Sequence, residues 1–116
     1  MTSLYLAGPY SPIEKAGPWR KASIMGARFE QLNEIAGKLM KQGYIVFSPI
    51  SHSHPISLHI GNSLSHAFWL EQDRFYMNAC DECWVAKLPG WRESKGVNYE
   101  IWYFRMAGKP VKYLEV

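Results

Sequence analysis

Apolar residues recur along residues 21–41 at the spacing of one helix face. The positions, separated by three or four residues, are Ala22, Met25, Phe29, Leu32, Ala36 and Leu39. This pattern predicts an amphipathic helix, which Gly43 is expected to end. Residues 3–7 before it and 44–47 after it are short apolar runs, typical of buried strands. The first part of the chain therefore predicts a β-α-β unit with parallel strands and a right-handed crossover.

The second half predicts two further helices and two further strands. The helices are expected over residues 64–79 and about 96–107, and the strands over 82–88 and 111–116. Pro89 and Gly90 stop the third strand, while Gly108 and Pro110 end the last helix. Residues 13–20 and 50–65, which contain Pro and Gly, predict irregular loops.

The element order predicts a doubly wound α/β domain. We expect a Rossmann-like or flavodoxin-like parallel sheet of four to five strands, in the order 2-1-3-4, between two helix layers. Ligands of such sheets bind beyond the carboxyl ends of the strands, here between the first and third strands. The 116 residues form one domain, 1–116.

Composition narrows the partners. The net charge is +3 with no long basic run, which suits a small anionic ligand better than a long nucleic acid. We expect no membrane span and no signal peptide. The two cysteines then favour a reducing compartment, and the cytoplasm is the expected location. Aromatic residues make up 15% of the chain, more than a small core needs, which predicts a homodimer or larger homo-oligomer.

A candidate site lies where the third strand gives way to the last helix. Ser94 is a candidate N-cap and Gly96 allows close approach of a ligand, so unpaired N–H groups are expected to form an anion site. Glu100 shares one helix face with Val97 and Phe104. A carboxylate on an apolar face needs a partner or a cleft. Alternatively, Glu100 leans to solvent and stabilises the helix dipole.

A second carboxylate, Asp73, shares a predicted helix face with Trp69 and Tyr76. It lines a cleft in one interpretation, and pairs with Arg74 or faces water in the other. Trp19 and Arg20 end the loop predicted at residues 13–20. They are either a lid over a planar anionic ligand or, for Trp19, an anchor for that loop.

A zinc site is the alternative use of the histidines and cysteines. His52, His54 and His59 lie in the loop predicted at residues 50–65, and Cys80 and Cys83 follow. We favour buried free cysteines over a metal site, because the cysteine pair spans a predicted helix end and strand start. No metal or other cofactor is expected.

Several motifs resemble the nucleoside 2-deoxyribosyltransferase-like superfamily, and more closely its small bacterial and phage branch DUF1937. They are Tyr5-Leu6-Ala7-Gly8-Pro9-Tyr10, Gln72-Asp73, Asp81, Ser94-x-Gly96-x-x-Tyr99-Glu100 and Gly108-Lys109-Pro110-Val111. The resemblance covers nearly the whole chain and implies cleavage of an N-glycosidic bond between a (deoxy)ribose and a base.

The resemblance also implies roles for individual residues. Glu100 matches the family's nucleophile, which forms a glycosyl ester. Asp73 is implied to assist departure of the base, and Tyr99 to orient Glu100. The expected substrate-binding positions are Tyr5, Gly8, Pro9, Tyr10, Asp81, Ser94 and Gly96, with Trp19 and Arg20 as lid residues.

In its Ser94 and Gly96 the chain resembles the nucleotide N-hydrolases, whose matching Ser and Gly hold a 5′-phosphate. The nucleoside transferases of the superfamily carry Asp at the position of Ser94. The Arg-rich first loop of the hydrolases is absent, and Arg20, Lys21 or Arg92 are candidates to replace it. Three hypotheses remain open. The protein is an N-glycoside hydrolase or transferase, a nucleotide-binding module without turnover, or a metal-binding interaction domain.

Overall fold

The fold is built on a four-stranded parallel sheet whose order, β2-β1-β3-β4, confirms the prediction. A computed structural model describes residues 2–12, 16–61 and 64–116. Within them the elements are β1 (Ser3–Ala7), α1 (Pro18–Lys41), β2 (Ile45–Phe47), α2 (Pro49–Ile60), α3 (His66–Ala79), β3 (Glu82–Ala86), α4 (Lys95–Met106) and β4 (Val111–Leu114). The strands are slightly shorter than predicted, since β3 ends at Ala86 and β4 at Leu114.

The loop predicted at residues 50–65 is wrong over most of its length, because Pro49–Ile60 forms helix α2. Pro49 occupies the first turn, where its missing N–H does no harm, but Pro55 lies inside the helix. Packing outweighs this penalty. The His54 ring lies 4.4 Å from the Phe29 ring of α1, and the His52 ring lies 5.5 Å from the Phe47 ring of β2.

The loop predicted at residues 13–20 is also wrong at its end. Helix α1 begins at Pro18, so Trp19 and Arg20 lie in its first turn. The Trp19 side chain is 90% exposed and therefore does not anchor a loop to the body of the protein. Residues 13–15 of the predicted loop lie outside the described residues.

Two apolar layers cover the two faces of the sheet. Helix α1 packs on one face through Leu32, Ala36 and Leu39. Helices α3 and α4 pack on the other, where Met77 and Phe104 join a larger buried cluster. The three-layer α/β architecture is as predicted. No helix of the described residues is long and apolar enough to cross a membrane.

Candidate active site

A cleft opens at the carboxyl edge of the sheet, and its deep part is a cavity of about 120 Å³. We call this part the inner cavity. Its polar lining residues are Tyr10, Ser53, His66, Asp73 and Glu100. Its apolar walls are Pro49, Ile50, Trp69, Leu70 and Met77, with Gly96 at its edge. Tyr10 comes from the loop after β1, and helices α2, α3 and α4 contribute the other residues. Because β1 and β3 are neighbours, the cavity lies at the predicted switch point.

A wider space of about 510 Å³ adjoins the inner cavity, and we call it the outer hollow. It is lined by Ser11 and Pro12 from the loop after β1, and by Glu93, Ser94 and Lys95 at the start of α4. Tyr10, His66 and Gly96 line both spaces. These three residues form a neck that joins the two into one cleft.

A separate groove of about 450 Å³ lies between α1 and the C-terminal end of the chain. It is more spacious than the inner cavity, but its carboxylates, Glu34 and Glu115, are exposed and paired with Lys38 and Lys87. Paired surface carboxylates carry little chemistry. We therefore assign the candidate site to the cleft.

Glu100 reaches the inner cavity because α4 turns it inward. The Ser94 hydroxyl accepts a hydrogen bond from the Val97 N–H at 3.3 Å, which caps the helix as predicted. Val97, Glu100 and Phe104 are then buried together, and Glu100 is only 8% exposed. The alternative in which Glu100 leans to solvent is wrong.

The Glu100 carboxyl is held in its protonated form by its surroundings. Burial is the main cause, and the nearby Asp73 charge adds to it, so the pKa rises to about 8. Interaction with Tyr5 acts in the opposite direction. Within the described residues, Glu100 makes no ion pair. A buried carboxyl with a raised pKa that faces a cavity is a candidate functional group.

Tyr5 lies close to Glu100, beneath the cavity. Its ring packs against Phe47 and Phe104, with centroids 6.0 and 5.5 Å away. Burial and then the Glu100 charge raise the pKa of Tyr5 well above its usual range. The Tyr5 hydroxyl is close to Glu100 without reaching hydrogen-bonding geometry, so it has no partner among the described residues. Two buried polar groups are thus available to each other or to a ligand.

Asp73 faces the same cavity from α3. Burial raises its pKa to about 6. In the described part of the chain it makes no ion pair with Arg74, so the alternative of a surface pair is wrong. The inner cavity therefore contains two carboxyl groups with different proton affinities, a common basis for acid–base chemistry.

Helix α1 holds together the loops that follow strands β1 and β3. An added Cβ on Gly8 would lie 2.6 Å from a methyl carbon of Leu32, so only Gly lets α1 approach this loop. Arg28 bridges the two loops by donating to the Tyr10 carbonyl at 3.1 Å and the Pro89 carbonyl at 3.2 Å. Sequence reasoning missed Arg28, which lies beside the apolar face of α1 and belongs to no motif.

Some of the other predicted site residues line the cleft and others do not. Pro9 is buried behind the neck, and Tyr10 forms part of it. The Tyr10 hydroxyl and the His54 Nδ1 atom are 2.5 Å apart, which fixes the Tyr10 ring. Lys95 is the cation that lines the outer hollow, whereas Arg20, Lys21 and Arg92 do not line the cleft.

Like Arg20, the predicted residues Asp81, Tyr99 and Trp19 lie outside the cleft. Asp81 is at the amino edge of the sheet, where it accepts hydrogen bonds from the Ser3 N–H and hydroxyl at 2.9 and 3.1 Å. These bonds hold the pKa of Asp81 below its usual value. Tyr99 packs beside Trp102, 5.9 Å between ring centroids, and is not a lining residue of the cleft. Exposed Trp19 is likewise absent from the lining. Tyr99 does not face the cleft as its neighbour Glu100 does, because successive residues of a helix point about 100° apart.

The histidines and cysteines do not assemble. Cys80 and Cys83 are buried and free, and burial raises the pKa of both thiols, that of Cys83 beyond the physiological range. Within residues 2–12, 16–61 and 64–116, no three metal-ligating side chains form a group that could hold a metal ion. The structure thus gives the metal-binding hypothesis no support.

Comparison with protein families gives a match over almost the whole chain. The family model described as "Domain of unknown function (DUF1937)" matches residues 2–116. No curated protein matches the chain.

Proposed function

The chain belongs to the DUF1937 family, and we propose that it cleaves or transfers the N-glycosidic bond of a nucleoside 5′-monophosphate or nucleoside. One observation carries the proposal. Glu100 is buried, has no ion-pair partner among the described residues, and faces a cavity that it shares with Asp73. A carboxyl group in this setting is destabilising unless a ligand uses it. The resemblance to the nucleoside 2-deoxyribosyltransferase-like superfamily supplies the reaction class.

The proposed chemistry uses the two carboxyl groups in succession. Ionised Glu100 attacks C1′ of the sugar and forms an ester, while the C1′–N bond breaks and its electron pair leaves with the base. Protonated Asp73 gives the departing base a proton or a hydrogen bond. Water then opens the ester in hydrolysis, or a second base does so in transfer.

The proton distribution of the free protein limits this chemistry. The pKa of Asp73 is about 6 and that of Glu100 about 8, so the pair holds one proton between these values. That proton lies mainly on Glu100, whose pKa is the higher of the two, whereas the reaction needs it on Asp73. A sugar that develops positive charge at C1′ would stabilise ionised Glu100 and reverse the preference.

The outer hollow is the proposed place of the 5′-phosphate. The Val97 N–H is used by the Ser94 cap, which leaves the N–H groups of Lys95 and Gly96 without helical partners, and the Lys95 side chain adds a positive charge. Glu93 lines the same hollow and partly offsets Lys95. The sugar would then occupy the inner cavity, with its C1′ toward Glu100 and its C5′ toward the neck.

A panel of nucleosides and matched 5′-monophosphates tests the proposal, with free base measured by chromatography. Release of base that depends on the protein supports it. Binding of a nucleotide without release of base would support the second candidate, a binding module without turnover. One observation favours that candidate, since a Glu100 that is protonated at neutral pH is a poor nucleophile.

The same proposal includes a homodimer in the cytoplasm. Trp69 lines the inner cavity and Tyr76 stacks on Phe47 at 3.9 Å, so neither is available to a partner. Phe75 and Trp102, on α3 and α4, are 71% and 56% exposed. Exposed aromatic side chains are common at interfaces. The two free cysteines accord with a reducing compartment.

A further inference from the structure

His66 stands at the neck of the cleft without a role in the chemistry described so far. It is the first residue of α3, and its exposed side chain lines both the inner cavity and the outer hollow. Tyr10 and Gly96 share this position, but Tyr10 is bonded to His54 and Gly96 has no side chain. Of the three neck residues, His66 is the one that can carry a positive charge.

We propose that His66 is a specificity-determining residue whose imidazolium form contacts the phosphate of a sugar 5′-phosphate ligand. This inference rests on the proposed function and deepens it, because it assigns a residue to recognition of the phosphate. In this arrangement the phosphate lies between His66 and the start of α4, where Ser94 and Gly96 line the outer hollow.

The direction of the ligand follows from the carboxyl groups. Buried Glu100, which makes no ion pair among the described residues, indicates that a ligand occupies the inner cavity. Asp73 and His66 lie on the same side of α3, seven residues and therefore about 10 Å apart along the helix axis. A ligand seated on the carboxyl groups and extended toward the outer hollow passes His66 at the neck.

The other charged residues near the neck give little net attraction for a phosphate. Lys95 and Glu93 oppose each other in the outer hollow, so their combined field on an anion is weak. An imidazolium that adds a charge-assisted hydrogen bond then accounts for much of any preference for phosphate. The titratable and charged groups that face this region are Tyr10, Asp73, Glu93, Lys95 and Glu100.

Ribose 5-phosphate and ribose are suitable probes, because the pair isolates the phosphate and requires neither a base nor turnover. Dissociation constants are measured by calorimetry for the parent, His66→Gln, His66→Lys and His59→Gln. His59 is exposed in α2 and does not line the cleft, which makes it the matched control. We expect the parent to prefer ribose 5-phosphate, and His66→Gln to lose about tenfold of that preference.

The lysine variant separates a charge effect from a structural one. His66→Lys should keep the preference, because it keeps a cation.

Two results would overturn the inference. One is a parent without preference for ribose 5-phosphate. The other is a His66→Gln variant that keeps the parent's preference, whether its affinity for both probes is unchanged or equally weakened. These outcomes differ from failure of the proposed function, which is judged by release of base. Release of base without phosphate preference refutes the role of His66 alone. Phosphate binding through His66 without release of base refutes turnover alone.

Discussion

Replacing Glu100 with Gln should make the protein more stable than its parent at neutral and alkaline pH. Burial raises the pKa of Glu100 from the ordinary 4.5 to about 8. The native state therefore keeps a proton that the unfolded chain has already lost, and stability falls as the pH rises through this window. Gln is nearly isosteric and does not titrate, so the variant lacks this loss.

The size of the effect follows from the two pKa values. Above about pH 8 the full difference corresponds to about 5 kcal/mol, and the part between about pH 6 and about pH 8 to about 2 kcal/mol. The upper range is the useful one, because Asp73, with a pKa of about 6, contributes mainly below it. About 2 kcal/mol is a large fraction of the stability of a small domain.

Urea unfolding at several pH values between about 6 and about 8 measures this difference. The free energy of unfolding of Glu100→Gln, relative to the parent, should increase steadily with pH. Glu71→Gln, which changes an exposed carboxylate on α3, is the matched control and should show no such trend. Parallel pH dependences of the parent and Glu100→Gln would show that Glu100 is not a buried, protonated group.

Three further predictions concern the cleft, the oligomer and the packing beneath the site. We expect the parent to prefer a monophosphate over its nucleoside by tenfold or more, on the order of 2 kcal/mol. Ser94→Asp keeps a helix cap but places an anion at the proposed phosphate position, so it should reverse this preference. Equal parental kcat/KM values for the two substrates would refute the prediction. The parent should be a dimer or larger by light scattering at micromolar concentration and Trp102→Asp should shift it toward monomer, whereas a monomeric parent would contradict the proposed interface. Gly8→Ala should destabilise the fold by about 1–3 kcal/mol, because the added Cβ would meet the Leu32 side chain. Gly37→Ala is the control, since its Cβ would meet nothing within 4 Å and should not destabilise α1. Equal melting temperatures for the two variants would contradict close packing of Gly8 against Leu32.

The sequence predicted the sheet and the inward face of α4 because both depend on periodicity. The alternation of strands and helices predicts a parallel sheet with right-handed crossovers, and the spacing of Val97, Glu100 and Phe104 predicts which side of α4 is buried. The Ser94 cap was predictable for the same local reason.

Features set by tertiary contacts were not predictable in this way. Helix α2 contains Pro55 and forms because its histidine rings pack against neighbouring aromatic rings. The bridge made by Arg28 joins loops that are distant in sequence. Asp81 lies in a motif, yet its place before β3 puts it at the amino edge, far along the strand from the cleft. A motif identifies a residue type without fixing the edge of the sheet that it occupies.

The central claim is that Glu100 is the nucleophile, and loss of turnover in Glu100→Gln tests it most directly. The measurement is the rate of base release from the best substrate of the parent, with Glu71→Gln as control. Because Gln keeps the volume of Glu but cannot form the ester, we predict a loss of at least about 1,000-fold with binding largely retained. Parental turnover in Glu100→Gln would contradict the account.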